Sequence, residues 1–220
     1  MRKLLWCLAF SMIFSVSVAF AAPQTDFKQG KTSVDLGAIR SEIDADGIDF
    51  DKKTNLDLGI TTGLSEKLAL QYKYQKLEGD LGNSFGKAET DNKVHELNVL
   101  YKLDSNVYAF AGVQRLSGDF KITEYGVGSE SYKIDSKTVA QIGVTGVAQL
   151  ADKLNGWATA AIGNDNYSYE IGLGYEIANN ADLNLFYRYK KFNDIEFKSG
   201  ITGSGDAKSK GVGAGVTFKF

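Results

Sequence analysis

The stretch that decides the fold is Gly211-Val-Gly-Ala-Gly-Val-Thr-Phe-Lys-Phe220, at the C-terminal end of a 220-residue chain. Val212, Ala214, Val216, Phe218 and Phe220 take every second place, and Gly211, Gly213, Gly215, Thr217 and Lys219 fill the places between. An extended strand of this sequence has one apolar face and one small or polar face, which is period-two patterning. Chain ends are ordinarily frayed and polar. This one reads as strand to its last residue, so it is expected to pair with another strand.

The same alternation recurs upstream. Leu56, Leu58, Ile60, Thr62 and Leu64 alternate with Asn55, Asp57, Gly59, Thr61 and Gly63. Leu68, Leu70, Tyr72 and Tyr74 alternate with Ala69, Gln71, Lys73 and Gln75. Similar runs cover 95–103, 167–177 and 183–190. A helix would smear this pattern around its circumference. Less regular runs at 32–43, 107–116, 138–150 and 156–163 bring the expected total to ten strands, or eight if two of them are loop. In 107–116 the phase stays open, because Tyr108 and Phe110 compete with Val107, Ala109, Ala111 and Val113 for the apolar face.

The other end reads as a leader. Arg2 and Lys3 precede an uncharged run from Leu4 to Phe20, and Ala19-Phe20-Ala21 fits a small-x-small cleavage site, so residues 1–21 are expected to be a secretory signal peptide. Cys7 falls inside it, which leaves residues 22–220, a single domain, without a disulfide. Of 25 basic and 27 acidic residues, Arg2 and Lys3 leave with the leader. The remaining net negative charge argues against nucleic acid, which rewards basic patches. No later stretch reaches the roughly 20 apolar residues of a membrane helix.

The connections alternate in length. Short ones are expected at 65–67, 104–106, 151–155 and 178–182, and longer polar ones at 44–54, 77–92, 117–137 and 193–210, with one short exception at 164–166. Short turns on one side and long loops on the other are the rhythm of an outer-membrane barrel. An even strand number puts both termini on the short-turn, periplasmic side. The aromatic residues fall into two groups along the strands. Tyr72, Tyr74, Tyr167, Tyr169 and Tyr189 lie toward the long loops, and Tyr101, Trp157, Tyr175, Phe218 and Phe220 toward the short turns. Amphipathic rings favour the two headgroup levels of a bilayer. A soluble barrel or sandwich would alternate in the same way with its apolar face inward, but it accounts for neither the belts nor the C-terminal strand.

Together, the leader, the loop rhythm and the C-terminal Val212, Ala214, Val216, Phe218 and Phe220 resemble the OmpA/OmpX-like outer-membrane β-barrel superfamily. The resemblance implies a closed, all-β, antiparallel up-and-down transmembrane barrel in the cell outer membrane. It also implies that the five C-terminal residues serve as the signal read by the barrel assembly machinery during insertion. Outer-membrane lipid and lipopolysaccharide are the expected surroundings of a monomer, with a cell-surface partner engaged through the outer loops.

Inward positions then predict the lumen. Asp57, Lys73, Glu96, Lys102, Glu170, Glu176, Arg188, Lys190 and Lys219 are expected to form a polar network that fills a narrow barrel. Pairing about the turn 178–182 sets Gly174 opposite Phe186, Gly172 opposite Arg188 and Glu170 opposite Lys190. Gly59 is expected to face Lys73.

Catalytic signals are weak. The one histidine, His95, lies near Glu89, Asp91 and Glu96, yet alternation turns it to the lipid face with Leu97 and Val99. Gly200–Gly205 lacks the lysine of a phosphate loop, and Asp44, Asp46, Asp49 and Asp51 miss the spacing of an EF-hand. No catalytic residue, metal or cofactor is expected. The leading functional reading is a non-enzymatic barrel with a structural or adhesin-like role. A minor porin passing small polar solutes is the alternative, and an outer-membrane enzyme the third.

Overall fold

A computed structural model describes residues 23–45, 47–196 and 204–220. The expected leader, Asp46 and most of Gly200–Gly205 lie outside them. Among the described residues the chain is strand and turn, without helix. The elements are β1 (Thr32–Ala45), β2 (Ile48–Asp49), β3 (Lys53–Gly63), β4 (Leu68–Gly82), β5 (Gly86–Asp104), β6 (Val107–Glu124), β7 (Gly128–Ala151), β8 (Leu154–Gly163), β9 (Asn166–Ala178), β10 (Ala181–Glu196) and β11 (Ser204–Lys219). The two-residue β2 hangs on β1 at the outer end. The other ten form an antiparallel meander in which β11 returns to β1, so the sheet closes.

Closure runs from Ser33 opposite Lys219 to Ala45 opposite Ala207. Thr32 and Phe220 seal the end by exchanging main-chain hydrogen bonds of 3.1 and 2.8 Å. In hydrocarbon no main-chain N–H or C=O can be left unpaired, and only a closed sheet satisfies them all. Val212, Ala214, Phe218 and Phe220 face outward, as their alternation requires, and Val216 shares their parity.

The long loops expected from sequence are mostly paired strand. The segment 77–92 is a β4–β5 hairpin with its turn at 83–85, and 117–137 is a β6–β7 hairpin with its turn at 125–127. β7 alone has 24 residues, whereas a membrane-crossing strand needs only about 9–11. The barrel therefore rises above the bilayer as a collar. Its polar residues suggested loop because they face water on the outside of a ladder.

The lipid-facing band carries Leu56, Ile60, Leu97, Ile171, Leu173 and Leu185, all well exposed. Tyr72, Tyr167 and Tyr169 ring its outer edge, and Tyr101, Tyr175, Phe218 and Phe220 its inner edge. Trp157 departs from the expected belt. It points into the lumen and is 5% exposed. It sits opposite Gly172, where a Cβ would overlap the indole, and its Nε1 donates to Glu170 at 2.8 Å. β6 resolves its open phase the same way, with Tyr108 and Phe110 inside and Ala109 and Ala111 turned outward.

Candidate functional site

The lumen is stacked in three layers. At the periplasmic end the lead-in before β1 folds under the barrel, and Phe27, 1% exposed, packs on Tyr108 with ring centroids 5.4 Å apart. Lys102 reaches down to this segment. Its Nζ donates to the Thr25 carbonyl at 2.8 Å and stands 6.0 Å from the Phe27 ring centre. Lys219 and the buried Asp182 form a 2.6 Å ion pair nearby, and the main-chain N–H of Glu176 bonds the Lys153 carbonyl at the same rim. Lys102, Glu176 and Lys219, expected among the lumen charges, lie at the periplasmic rim, apart from the central group.

The middle layer is charged. The Arg188 guanidinium pairs with Asp57 and, at 2.6 Å, with Glu170. Lys190 lies 3.4 Å from Glu96, which also accepts from Asn98 Nδ2 at 2.7 Å. Asn98 in turn bonds Gln71 and Gln141. Lys73 stands half-buried opposite Gly59, as expected, and lines the same space. The free volume left among these groups is about 30 Å³, against several hundred for a ligand pocket. Phe186 and Trp157 thicken the plug, with Gly213 clearing room for the Phe186 ring.

The register around Arg188 differs from the one expected. Arg188 faces Glu170, Phe186 faces Gly172 and Asn184 faces Gly174. The turn is only Asn179-Asn180, and an irregularity at Ala181/Asp182 moves the register by one residue more, so together they shift the pairing by two. A two-residue shift preserves which side chains face inward, so the predicted charges stay in the lumen while their partners change. Two buried acids were missed. Asp35 belongs to one of the less regular runs, and Asp182 was assigned to a turn. Asp35 lies against Gly59, where a Cβ would crowd its carboxylate. The charged residue between Val34 and Leu36 was the available signal.

The third layer lies above the outer tyrosines, where Ile43, Phe50, Leu77, Leu116, Phe192 and Ile195 join one buried apolar cluster. They border a cavity of about 230 Å³ at the outer mouth. Ion pairs decorate the outside of the collar here, with Lys53–Asp80 at 3.2 Å, Asp80–Lys87 at 3.5 Å and Lys87–Glu89 at 2.8 Å. The hydrogen bond from Lys53 is the main cause holding the Asp80 carboxyl below its ordinary pKa. The bond to Glu89 likewise raises Lys87.

His95 stands on the lipid side at the level of the outer tyrosines. Its Nδ1 is 2.8 Å from Tyr72 Oη, and its ring is 5.2 Å from that of Tyr74. Of the acids near it in sequence, Glu96 turns into the lumen, Asp91 lies 3.7 Å from Lys76 and Glu89 pairs with Lys87. The structure does not bring them together around the imidazole.

A closed barrel with an apolar outer band, aromatic borders and a polar interior is the architecture of an outer-membrane protein. The chain matches the family described as outer membrane protein beta-barrel domain over residues 7–220, and it belongs to that family, which places it in the outer membrane. No curated protein matches it by sequence. Among solved structures it is similar to the outer membrane protease OmpT from Escherichia coli. That match has a TM-score of 0.67 at 13% identity and covers 90% of this chain and 100% of that one. It is also similar to Ail, the attachment invasion locus protein of Yersinia pestis, with a TM-score of 0.49 at 16% identity, covering 86% and 99%. The translocator domain of the autotransporter NalP from Neisseria meningitidis gives 0.49 at 12% identity, covering 87% and 89%. At such identities the likeness is one of fold.

Proposed function

We propose that this protein is a non-conducting, non-enzymatic barrel that works at the cell surface through the rim of its collar, in an adhesin-like role. The observation that carries this reading is the plug, in which Arg188, Asp57, Glu170, Lys190 and Glu96 leave about 30 Å³ free at mid-barrel. Such a lumen favours a surface role over the porin alternative. The collar tips add support. Phe85, Tyr125 and Val127 are 82%, 57% and 83% exposed, and the Tyr125 N–H bonds the Phe85 carbonyl, so two hairpin tips present apolar side chains together. Exposed apolar groups gathered at a rim mark contact surfaces. Lipid and lipopolysaccharide would surround the band, the assembly machinery would act during insertion, and the barrel would work as a monomer.

Purified protein in planar bilayers should give no steady single-channel steps, and large regular steps would overturn the plug. Cells displaying a Phe85→Ser, Tyr125→Ser, Val127→Ser variant should lose attachment to host-cell or matrix surfaces at unchanged surface abundance. Unaltered attachment would count against the rim.

A further inference from the structure

The cavity in the outer mouth is built unlike the plug beneath it, and its occupant goes beyond the surface role proposed above. Its walls are apolar, with Phe50, Leu77, Leu116 and Phe192 among them, and it measures about 230 Å³. An apolar cavity near 150 Å³ holds benzene, so this one has room for a ring with a short alkyl chain. Water gains little here, because it needs two to four polar partners to be held.

The charged groups bordering the cavity are already matched. Lys190 lies 3.4 Å from Glu96, Lys208 3.3 Å from Asp44, and Asp206 2.6 Å from Lys191. A charged ligand would lose its hydration and find its counter-ions engaged. One neutral polar atom in the wall stands apart. Asn92 is 9% exposed and its Nδ2 donates to Thr90 Oγ1 at 2.7 Å, but its Oδ1 has no partner. That oxygen is out of solvent contact and rests over Gly118, in the space a Cβ there would take, so a turn of the Asn92 side chain brings it to the cavity. A buried carbonyl oxygen without a donor is a place where a hydroxyl gains a bond.

We propose that the outer mouth binds a small, uncharged, largely apolar molecule carrying one hydroxyl, of the size of an alkylphenol, with the Asn92 side chain turning so that its Oδ1 accepts from the hydroxyl. The ligand enters from outside the cell, since the charged plug closes the way below.

The test uses the full barrel reconstituted in lipid nanodiscs, with 4-propylphenol as probe and empty nanodiscs subtracting partition into lipid. Calorimetric titration should show saturable, one-to-one binding. Leu116→Trp, which fills the cavity, should weaken it by about tenfold or more. Ile195→Trp near the rim does the same job if the first variant fails to fold, with folding checked by heat-modifiable gel mobility. Asn92→Val should lower affinity for 4-propylphenol several-fold while leaving propylbenzene unchanged, and hexanoate should not saturate the site. No saturable binding, or binding indifferent to both tryptophans, would overturn the site. Equal losses of both probes in Asn92→Val would overturn the hydroxyl contact. Conductance of the same nanodisc-grade protein in planar bilayers reports on the plug, so failure of one reading is distinguishable from failure of the other.

Discussion

The embedded half of the barrel and the collar above it are built from the same strands with opposite polarity. Up to the outer tyrosines, Leu70 and Tyr72 of β4 face lipid while Gln71 and Lys73 face inward. Above them the same strand turns Lys76, Glu78 and Asp80 toward water and buries Leu77. β10 does likewise, with Leu183 and Leu185 outside in the band and Phe192 inside above it. Strand parity does not change across this border; the solvent does. Apolar side chains leave whichever side touches water, so the level at which the apolar parity inverts is the level of the membrane surface. Burial is also paid for differently: the embedded interior matches charge with charge, and the collar excludes water from aliphatic and aromatic groups.

The sharpest way to break this contrast is to unbalance the embedded interior. Arg188→Ala leaves Asp57 and Glu170 buried without their cation, and the expected loss is about 3–5 kcal/mol. Urea titration of folding into lipid vesicles measures it, and a loss no larger than for Lys191→Ala in the collar would undo the distinction. Next comes the lipid face. Leu173→Arg, near the middle of the band, should cost about 2–4 kcal/mol. Lys121→Leu on the outside of the collar should stay within about 0.5 kcal/mol. Similar costs at both sites would mean that the border is misplaced.

Trimming the collar's apolar cluster comes third. Ile43→Val should destabilise by about 0.5–1.5 kcal/mol, read from the same titrations. The smallest effect concerns pH. The Asp80 pKa is depressed in the folded state, so its contribution is present above the ordinary Asp pKa and is lost as pH falls through the lowered value. Because Asp80 faces water and is only partly covered, the difference between wild type and Asp80→Asn should be barely resolvable at pH 7 and should shrink as the pH is lowered. A difference that grows on acidification would reverse the assignment.

Much of this was legible in the chain itself. Alternation located all ten strands, and it placed Asp57, Lys73, Glu96, Glu170, Arg188 and Lys190 inside. The failures have identifiable physical causes. Trp157 looked like a belt residue because an indole suits a headgroup level, and only its pairing with Gly172 shows that the lumen has room for it. Arg188 was matched to Gly172 because a two-residue turn with an adjacent irregularity looks like a five-residue turn in sequence. The collar was taken for loops because its outward residues are polar, and the inward Leu77, Phe120, Ile134 and Phe192 were not weighed as a second, inverted pattern. The apolar mouth was therefore invisible until the strands were extended.

On the reading proposed above, the charged plug and the Phe27 segment beneath it make the molecule a blind well. Anything that settles in the mouth must leave by the route it entered, so residence time rather than transit governs what an occupant can do. On that reading the contents of the mouth equilibrate with the outside medium alone.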